Sequence, residues 1–399
     1  MNIETKLFLK KKFTEYYTRH LVSAPGEIER REFGFGTLTD KIKIRHKAFR
    51  SEKDLHGFLR REAPYYISYS AAYYDYPANA MNEKVWRGAE LIFDLDVPMK
   101  FLSSKNLEKV KKETQSLLDF LKGDYGIPDK EISVNFSGSK GYHIHVSSEN
   151  VKNLGRDERR EIVDYLTGKI NFKDYLKKIV AKDEIEIGPK KGDKGWPGRI
   201  YKGLYEFIRD STEKDLREIP GIGEKKAKTI MDGKERLLKA LADGRYDLMP
   251  EIASIERQYM DRTKVSTQSD PNFKTSRQYI SKFESPLIQK IIESLAIHME
   301  AEDTDKMVSI DTSRLIRLPD TLHGGSGLAA RKVTDLEKFN PLTDALAFGN
   351  GDMKICLREQ VPVFEIGGQM FGPFDAGSVE LPEYAAVYLL LKDTGEYVA

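Results

Sequence analysis

The segment of residues 90–96, ELIFDLD, places the strictest limit on how this chain can fold. In a strand, side chains alternate between two faces, so Asp94 and Asp96 share one face and the apolar residues beside them point into the core. The two carboxylates then lie roughly 7 Å apart at their α-carbons. Like charges at the end of a buried strand repel each other, and a hard divalent cation with oxygen ligands would neutralise them. The pair therefore predicts a metal site, although taken alone it fits a solvated strand end better.

The residues that follow predict a β-α-β-β unit built around this strand. Apolar residues recur at helical spacing between residues 107 and 121, and strand-like segments follow at residues 131–136 and 142–146. Because a helix connects the first two strands, we expect them to form a parallel pair through a right-handed crossover. We expect the last two strands to form a hairpin.

Composition excludes several broad classes of protein. Hydrophobic residues make up 40% and charged residues 32% of the chain, as in soluble globular proteins. No run of about 18 apolar residues occurs, so we expect no membrane segment and a cytoplasmic location. The net charge of +2 does not decide whether the chain binds nucleic acid, although local basic clusters such as Arg30 and Arg31 could meet phosphates. Cys356, the single cysteine, is expected in the core and excludes an internal disulfide.

A change of pattern divides the chain. Residues 205–262 are helical and charged, and we expect an inserted helical subdomain there, within a core formed by residues 1–204 and 263–399. In this insert, residues 219–227, IPGIGEKKA, resemble a helix-hairpin-helix turn, whose glycines expose backbone N–H groups to a DNA phosphate. Three lysines suit that role: Lys225, Lys226 and Lys228. A plain helical turn explains the segment equally well.

A second chemical signal is the glycine-bearing turn of residues 137–145, SGSKGYHIH. Gly138 allows backbone N–H groups to converge on a phosphate, while Ser137 offers a hydroxyl and Lys140 a point charge. His143 and His145 share a strand face, where they could donate to phosphate oxygens or orient a metal-bound group. Taken alone, the segment is equally well explained as a hairpin turn with two hydrogen-bonded histidines.

A third signal lies in residues 305–325, DKMVSIDTSRLIRLPDTLHGG. The segment contains carboxylates, arginines and a histidine beside glycines, including Asp305, Asp311, Arg317 and His323. These residue types suit the completion of a metal site and the binding of a triphosphate. Taken alone, they also fit an ordinary turn stabilised by salt bridges.

Together the three segments resemble the small subunit of the archaeo-eukaryotic primases, most closely its archaeal branch. The likeness covers nearly the whole chain. It rests on these ordered matches: REFGFG at residues 31–36, Arg45-His46 followed by Phe49, YSAAYY at residues 69–74, Trp86 with Arg87-Gly88, the Asp94 and Asp96 strand, residues 137–145, Gly195-Trp196, RLIRLP at residues 314–319, and LHG at residues 322–324.

The resemblance implies a fold class and a catalytic site. The fold would be α+β, a primase-type catalytic fold of mixed β-sheets flanked by helices, with the helical insert. Three aspartates would bind two Mg²⁺ or Mn²⁺ ions: Asp94, Asp96 and, as the third, Asp305 ahead of Asp311. The residues expected around the nucleotide are Ser137, Gly138, Lys140, His143, Arg317 and His323.

The resemblance also implies an activity and partners. The chain would be the catalytic subunit of a DNA primase, which synthesises short primers from nucleoside triphosphates on single-stranded DNA for replication. A primase large subunit would form a heterodimer with it. Two departures from the family pattern stand out. No structural zinc is expected, because Cys356 lies far downstream of the catalytic strands, and Gly325 replaces a common lysine, for which Arg317 or Lys332 could compensate.

Three other functions compete with this hypothesis. A repair polymerase of the same fold would extend existing ends and would not start new chains. A nucleic-acid-binding protein without catalysis would leave Asp94 and Asp96 unexplained, and a metal-dependent nuclease would degrade DNA without nucleotides. The sequence does not decide between ribonucleotides and deoxyribonucleotides, because that choice depends on the space around the sugar 2′ position.

Overall fold

The computed structural model describes residues 1–175, 177–180, 184–246, 286–297 and 309–398. The chain forms two compact units, the first of Met1–Lys122, Gly126–Val163 and His298–Ala399, and the second of Gly123–Tyr125 and Asp164–Ile297. The expected insert of residues 205–262 falls within the second unit. Since residues 247–262 lie outside the described residues, the domain boundaries stay a prediction.

Helices and strands are interspersed along the described part of the chain. The helices are α1 (Ile3–Arg19), α2 (Glu52–Glu62), α3 (Ser104–Gly123), α4 (Glu149–Lys152), α5 (Arg156–Leu166), α6 (Gly195–Asp210), α7 (Glu213–Arg217), α8 (Glu224–Asp232), α9 (Lys234–Ala242), α10 (Pro286–Leu295), α11 (Pro341–Asp344) and α12 (Glu383–Leu391). The strands are β1 (Phe33–Gly36), β2 (Ile44–Lys47), β3 (Tyr66–Ser70), β4 (Ala72–Tyr74), β5 (Trp86–Ala89), β6 (Leu91–Asp96), β7 (Ile132–Phe136), β8 (Gly141–Val146), β9 (Lys177–Val180), β10 (Glu184–Ile187), β11 (Leu315–Arg317), β12 (Arg331–Val333), β13 (Asp352–Leu357), β14 (Phe364–Ile366), β15 (Gln369–Phe371), β16 (Gly377–Pro382) and β17 (Gly395–Tyr397). No helix in the described part of the chain is both long and apolar enough to cross a membrane.

The first unit is built on two four-stranded sheets. One sheet has the strand order β11-β3-β1-β2, and the other has the order β12-β7-β8-β6. A three-stranded sheet, β16-β13-β17, and the two-stranded pairs β4-β5 and β14-β15 complete the strands of this unit. Helices and antiparallel sheets thus share one unit, which confirms the predicted α+β class.

The position of β8 corrects the predicted β-α-β-β unit. β6 and β7 run in the same direction, but they do not pair, because β8 lies between them and is antiparallel to both. Every residue of β8 is buried, and a strand covered on both faces belongs in the middle of a sheet. The hairpin of β7 and β8 is confirmed.

The second unit contains the β9-β10 hairpin and helices α6 to α10. In its helix-hairpin-helix-like segment, α7 and α8 are joined by residues 218–223, where Gly221 has a positive φ of 84°. Ile219 and Ile222 are buried and hold this turn in place. Lys225 and Lys228 are exposed. Both the helix-hairpin-helix reading of this turn and its contact with DNA stay predictions.

The expectation that Cys356 is a core residue is wrong. Cys356 is exposed on β13, while Ile355 and Leu357 on either side of it are buried. The alternation of side chains along the strand explains the result, because the residue between two core positions faces the opposite side.

A buried ion pair joins the strands of the two large sheets. The guanidinium of Arg31, which is 1% exposed, contacts Glu90 and donates to the backbone oxygens of Ser70 and Ala71 at 2.8 and 2.9 Å. The other carboxylate oxygen of Glu90 lies 2.9 Å from Nδ1 of His145 on β8. Arg31 is therefore a structural residue, and the expectation that it could meet a phosphate is wrong.

This network controls the ionisation of Glu90. Burial opposes the charged form, but the hydrogen bond with His145 and the charge of Arg31 outweigh burial and lower the pKa of Glu90 to about 2. A carboxylate with a lowered pKa stabilises the fold above its unfolded pKa and loses that contribution as the pH falls through its folded pKa.

We predict that Gly141→Ala destabilises the first unit by about 2–4 kcal/mol. A Cβ at this position would overlap the backbone oxygen of Leu95 and a carboxylate oxygen of Asp96, and β8 cannot shift away without breaking its pairing with β6. Urea unfolding measures the change. The matched control is Gly57→Ala on α2, where a Cβ meets nothing within 4 Å. This control should stabilise the protein by up to about 1 kcal/mol. Equal midpoints for the two variants would contradict the packing described for β6 and β8.

We predict that Glu90→Gln lowers the free energy of unfolding by about 3–5 kcal/mol at pH 7, because it leaves the buried charge of Arg31 without its opposite charge. The deficit relative to wild type should be constant between pH 8 and pH 5. It should shrink as the pH falls from about 4.5 towards 2, where wild-type Glu90 itself becomes protonated. Urea titrations over this pH range test the prediction. A deficit that stays constant down to pH 3 would contradict it.

Candidate active site

Strand β6 presents two aspartates on one face, as its sequence predicts. Asp94 lies opposite His143 in β8, and Asp96 lies opposite Gly141. The apolar residues on the other face, Leu91, Phe93 and Leu95, are at most 1% exposed. The core therefore fixes the direction in which both carboxylates point.

The two carboxylates lack some of the hydrogen bonds and positive charges that would balance their negative charge among the described residues. Each side chain is 27% exposed, yet one oxygen of each, Oδ1, is buried and accepts no hydrogen bond from the described residues. Burial raises the pKa of Asp94, and burial together with the neighbouring charge of Asp94 raises that of Asp96. Among the described residues, one cation forms an ion pair with these acids: Nζ of Lys140 lies 3.5 Å from Oδ2 of Asp96. Oxygen atoms without partners on adjacent carboxylates fit the ligand set of Mg²⁺ or Mn²⁺.

The turn between β7 and β8 holds Lys140 beside these acids. Ser137 and Gly141 close the turn, since the N–H of Ser137 donates to the oxygen of Gly141 at 2.9 Å and the N–H of Gly141 donates to Oγ of Ser137 at 3.2 Å. Gly138 has a φ of 81°, and a Cβ there would lie 3.0 Å from Cβ of His323. A hydrogen bond of 2.5 Å from Oγ of Ser326 to the oxygen of Gly138 ties the turn to the segment that carries His323.

Two histidines in the cavity are kept neutral. Nε2 of His143 lies 3.5 Å from Oδ1 of Asp94, and burial and the neighbouring His145 lower the pKa of His143 to about 3. Burial and the charge of Arg317 lower the pKa of His323 well below its ordinary value. Nδ1 of His323 accepts the N–H of Gly325 at 3.1 Å, so the ring proton lies on Nε2. His323 therefore offers a hydrogen-bond donor without a positive charge.

Arg317 brings a positive charge to the same place from β11. Its guanidinium lies 5.1 Å from the ring centroid of Tyr66, and its Nη1 is buried with no hydrogen-bond partner among the described residues. Burial lowers the pKa of Arg317, although Asp94 and Asp96 act in the opposite direction. A guanidinium whose buried Nη1 donor is unused is well suited to binding an anion.

One cavity of about 550 Å³ brings most of the predicted site residues together. Its lining includes Asp94, Asp96, Ser137, Lys140, His143, Arg317 and His323. Gly138 is not part of the lining, but a Cβ at Gly138 would lie 3.0 Å from Cβ of His323, which is part of it.

The third carboxylate stays a prediction. Asp305 lies outside the described residues. Asp311 lines the cavity, but its Oδ1 already accepts the N–H and the hydroxyl of Ser313 at 2.9 and 2.7 Å. Across the described ranges, no group of three or more carboxylate, histidine or cysteine side chains is arranged to hold a metal ion.

The structure adds four basic residues to the cavity that the sequence did not single out as site residues: Lys41, Arg45, Arg314 and Lys392. Arg45 and Arg314 belong to segments that carry the family resemblance, which is the signal that could have found them. Lys41 lies in the turn between β1 and β2, and Lys392 directly follows a helix whose residues 384–391 are all buried, so neither stands in a recognisable motif. Lys332, one of the two residues expected to compensate for Gly325, lines a separate cavity beside α3.

Comparison with known proteins agrees with this geometry. A family model described as DNA primase small subunit matches residues 93–335. The DNA primase small subunit PriS of Methanosarcina barkeri is 35% identical over 434 residues, covering 100% of this chain and 98% of that protein. PriS of Methanothrix thermoacetophila is 34% identical over 424 residues (99% and 100%), and PriS of Archaeoglobus fulgidus is 35% identical over 403 residues (98% and 99%). Similarity of this extent over full-length relatives leads to one conclusion: the chain belongs to the DNA primase small-subunit family.

Proposed function

We propose that this cavity synthesises short primers from nucleoside triphosphates on a single-stranded DNA template, with Asp94 and Asp96 as metal ligands. Family membership makes the chain a nucleotidyltransferase-type enzyme. The observation that carries the proposal is the pair of buried carboxylate oxygens that lack hydrogen-bond partners among the described residues, in a cavity whose lining also includes several basic side chains. Such a pair is costly unless a divalent cation completes it.

The metal ligands would be Asp94, Asp96 and Asp305. Asp305 lies outside the described residues, and its assignment rests on the family resemblance. Oγ of Ser309, four residues later in the chain, donates to the backbone oxygen of Ile92 in β6 at 2.6 Å. When bound, Mg²⁺ or Mn²⁺ would make the attacking 3′-hydroxyl more acidic and neutralise charge on the pyrophosphate leaving group.

The surrounding residues would position the incoming nucleotide. Lys140 and Arg317 supply positive charge to the triphosphate, and Arg317 can donate from its unused Nη1. His143 and His323 stay neutral, so they donate hydrogen bonds without repelling the metal ions. Ser137 and Gly138 shape the turn that holds Lys140 in place. Catalysis would then depend mainly on positioning and on charge already in place before the reaction.

The proposal extends to partners. The relatives are named as small subunits, which supports a larger partner subunit and a heterodimer. Single-stranded DNA would be the template, and a cytoplasmic location without membrane attachment stays part of the proposal. The names of the relatives do not favour the alternative, a repair polymerase that only extends existing ends.

We predict that Asp94→Asn reduces nucleotide incorporation by roughly 10³-fold, because metal ions contribute several kcal/mol of charge stabilisation and each 1.36 kcal/mol changes a rate tenfold. The substitution preserves the shape of the side chain and removes one of two negative charges that repel each other. The thermal midpoint of unfolding should therefore be unchanged or higher. The assay uses labelled nucleotides on unprimed single-stranded DNA with Mg²⁺ or Mn²⁺. The matched control is Asp119→Asn on the exposed face of α3, which should retain wild-type incorporation.

The same assay distinguishes the competing functions. Products of defined length from the wild-type protein, and none from Asp94→Asn, would support primer synthesis and the role of Asp94. Extension that requires a supplied primer, even with the large subunit added, would favour the repair polymerase. Incorporation by Asp94→Asn at near wild-type rates with an intact fold would refute the metal-ligand assignment.

A further inference from the structure

Lys392 reaches the active-site cavity from the other end of the chain. It follows the last residue of α12, in which residues 384–391 are all buried. Its N–H donates to the oxygen of Tyr388 at 3.0 Å, and Thr394 fixes the next turn through two bonds to the oxygen of Leu389, at 3.0 and 3.2 Å. The side chain therefore leaves the backbone from a rigid point and lines the cavity that holds Asp94 and Asp96.

The ammonium group of Lys392 has no acidic partner among the described residues. It lies 5.5 Å from the ring centroid of Tyr388, which shields one side of it from water. The nearest acid in sequence, Asp393, is already paired with the N-terminal amine of Met1 at 3.0 Å and with Arg358. Lys392 is therefore a partly buried positive charge that pairs with no acidic side chain in the described part of the chain.

The neighbouring positive charges make the protonated form of Lys392 less favourable at this position. Burial lowers the pKa of Lys392, and the like charges of Lys140 and Lys100 lower it further. A lysine at a helix C-terminus interacts favourably with the helix dipole, and an exposed side chain already obtains part of that benefit. The dipole alone therefore does not explain why Lys392 lines the same cavity as another lysine.

An anion shared by Lys140 and Lys392 would remove the repulsion between them and give Lys392 the opposite charge that it lacks among the described residues. We propose that Lys392 binds the triphosphate of the incoming nucleotide together with Lys140. The neighbours of Lys392 favour a triphosphate over the template backbone as the ligand. Lys140 belongs to the glycine-bearing turn, and the charge of Lys392 contributes to the lowered pKa of His323, so Lys392 lies near residues proposed to bind the nucleotide. This inference rests on the proposed function and adds a nucleotide-binding residue to it.

The test measures binding of Mg²⁺-tripolyphosphate and of a Mg²⁺-bound nucleoside triphosphate to the full chain carrying Lys392→Met. Methionine keeps an unbranched side chain over Tyr388 and removes the charge. Affinity for both ligands should fall roughly 10- to 100-fold, the range for a hydrogen bond to a charged group. The KM for nucleotide should rise by a similar factor, while the affinity for a single-stranded oligonucleotide stays within about twofold of wild type. Lys392→Arg should retain most of the affinity.

The matched control is Lys354→Met on the exposed side of β13, which should bind both ligands as wild type does. A lower thermal midpoint for Lys392→Met is not expected, because removing the charge relieves repulsion. Unchanged tripolyphosphate affinity, or a loss confined to the oligonucleotide, would overturn the inference while Asp94→Asn still tested the proposed function. Absence of incorporation by wild type, with its large subunit supplied, would instead overturn the proposed function.

Discussion

The buried pair of Arg31 and Glu90 is the contact on which the two large sheets depend. Arg31 binds the backbone at the end of β3, Glu90 directly precedes β6, and His145 on β8 completes the network. Each group in such a network is costly to bury alone and acceptable only when the others are present. The walls of the cavity are therefore locked together by polar contacts as well as by apolar packing, which limits how far β6 can move relative to β3.

This rigidity allows the site to keep a charge arrangement that would otherwise relax. Asp94 and Asp96 repel each other, and their buried oxygens lack partners among the described residues. In a softer structure the side chains would rotate towards water. Here the pairing of β6 with β8 and the core beneath it hold both carboxylates in place. The stability of the surrounding fold thus maintains an arrangement in which the two carboxylates stay close to each other and to Lys140.

The sequence predicted those parts of the molecule that depend on local periodicity. The alternation in residues 90–96 correctly placed both aspartates on one face of β6. It could not reveal the order of strands in the sheet, because whether β8 or β7 lies beside β6 depends on packing between distant segments. The burial of Arg31 was missed for a related reason, since an arginine beside another arginine resembles a solvated cluster until Glu90 is seen next to it.

The site residues were predicted unevenly. Residues in glycine-bearing or charged motifs were brought together as expected, including Ser137, Lys140 and His323. Lys392 was missed because nothing near it in the sequence distinguishes it from any lysine that ends a helix. Only the three-dimensional path of the chain, which returns α12 to the cavity, gives this side chain a possible role.

The alternation along β6 also protects the chain from pairing its strands wrongly. A shift of one residue would turn both aspartates into the core and expose three large apolar side chains, each costing about 1.5–3 kcal/mol in lost burial. The two carboxylates repel each other and so weaken the correct alignment of the strand. They would weaken the shifted alignment far more, because in the core they would meet neither a cavity nor a cation. The residues proposed for catalysis thereby also help the strand to find its correct register during folding.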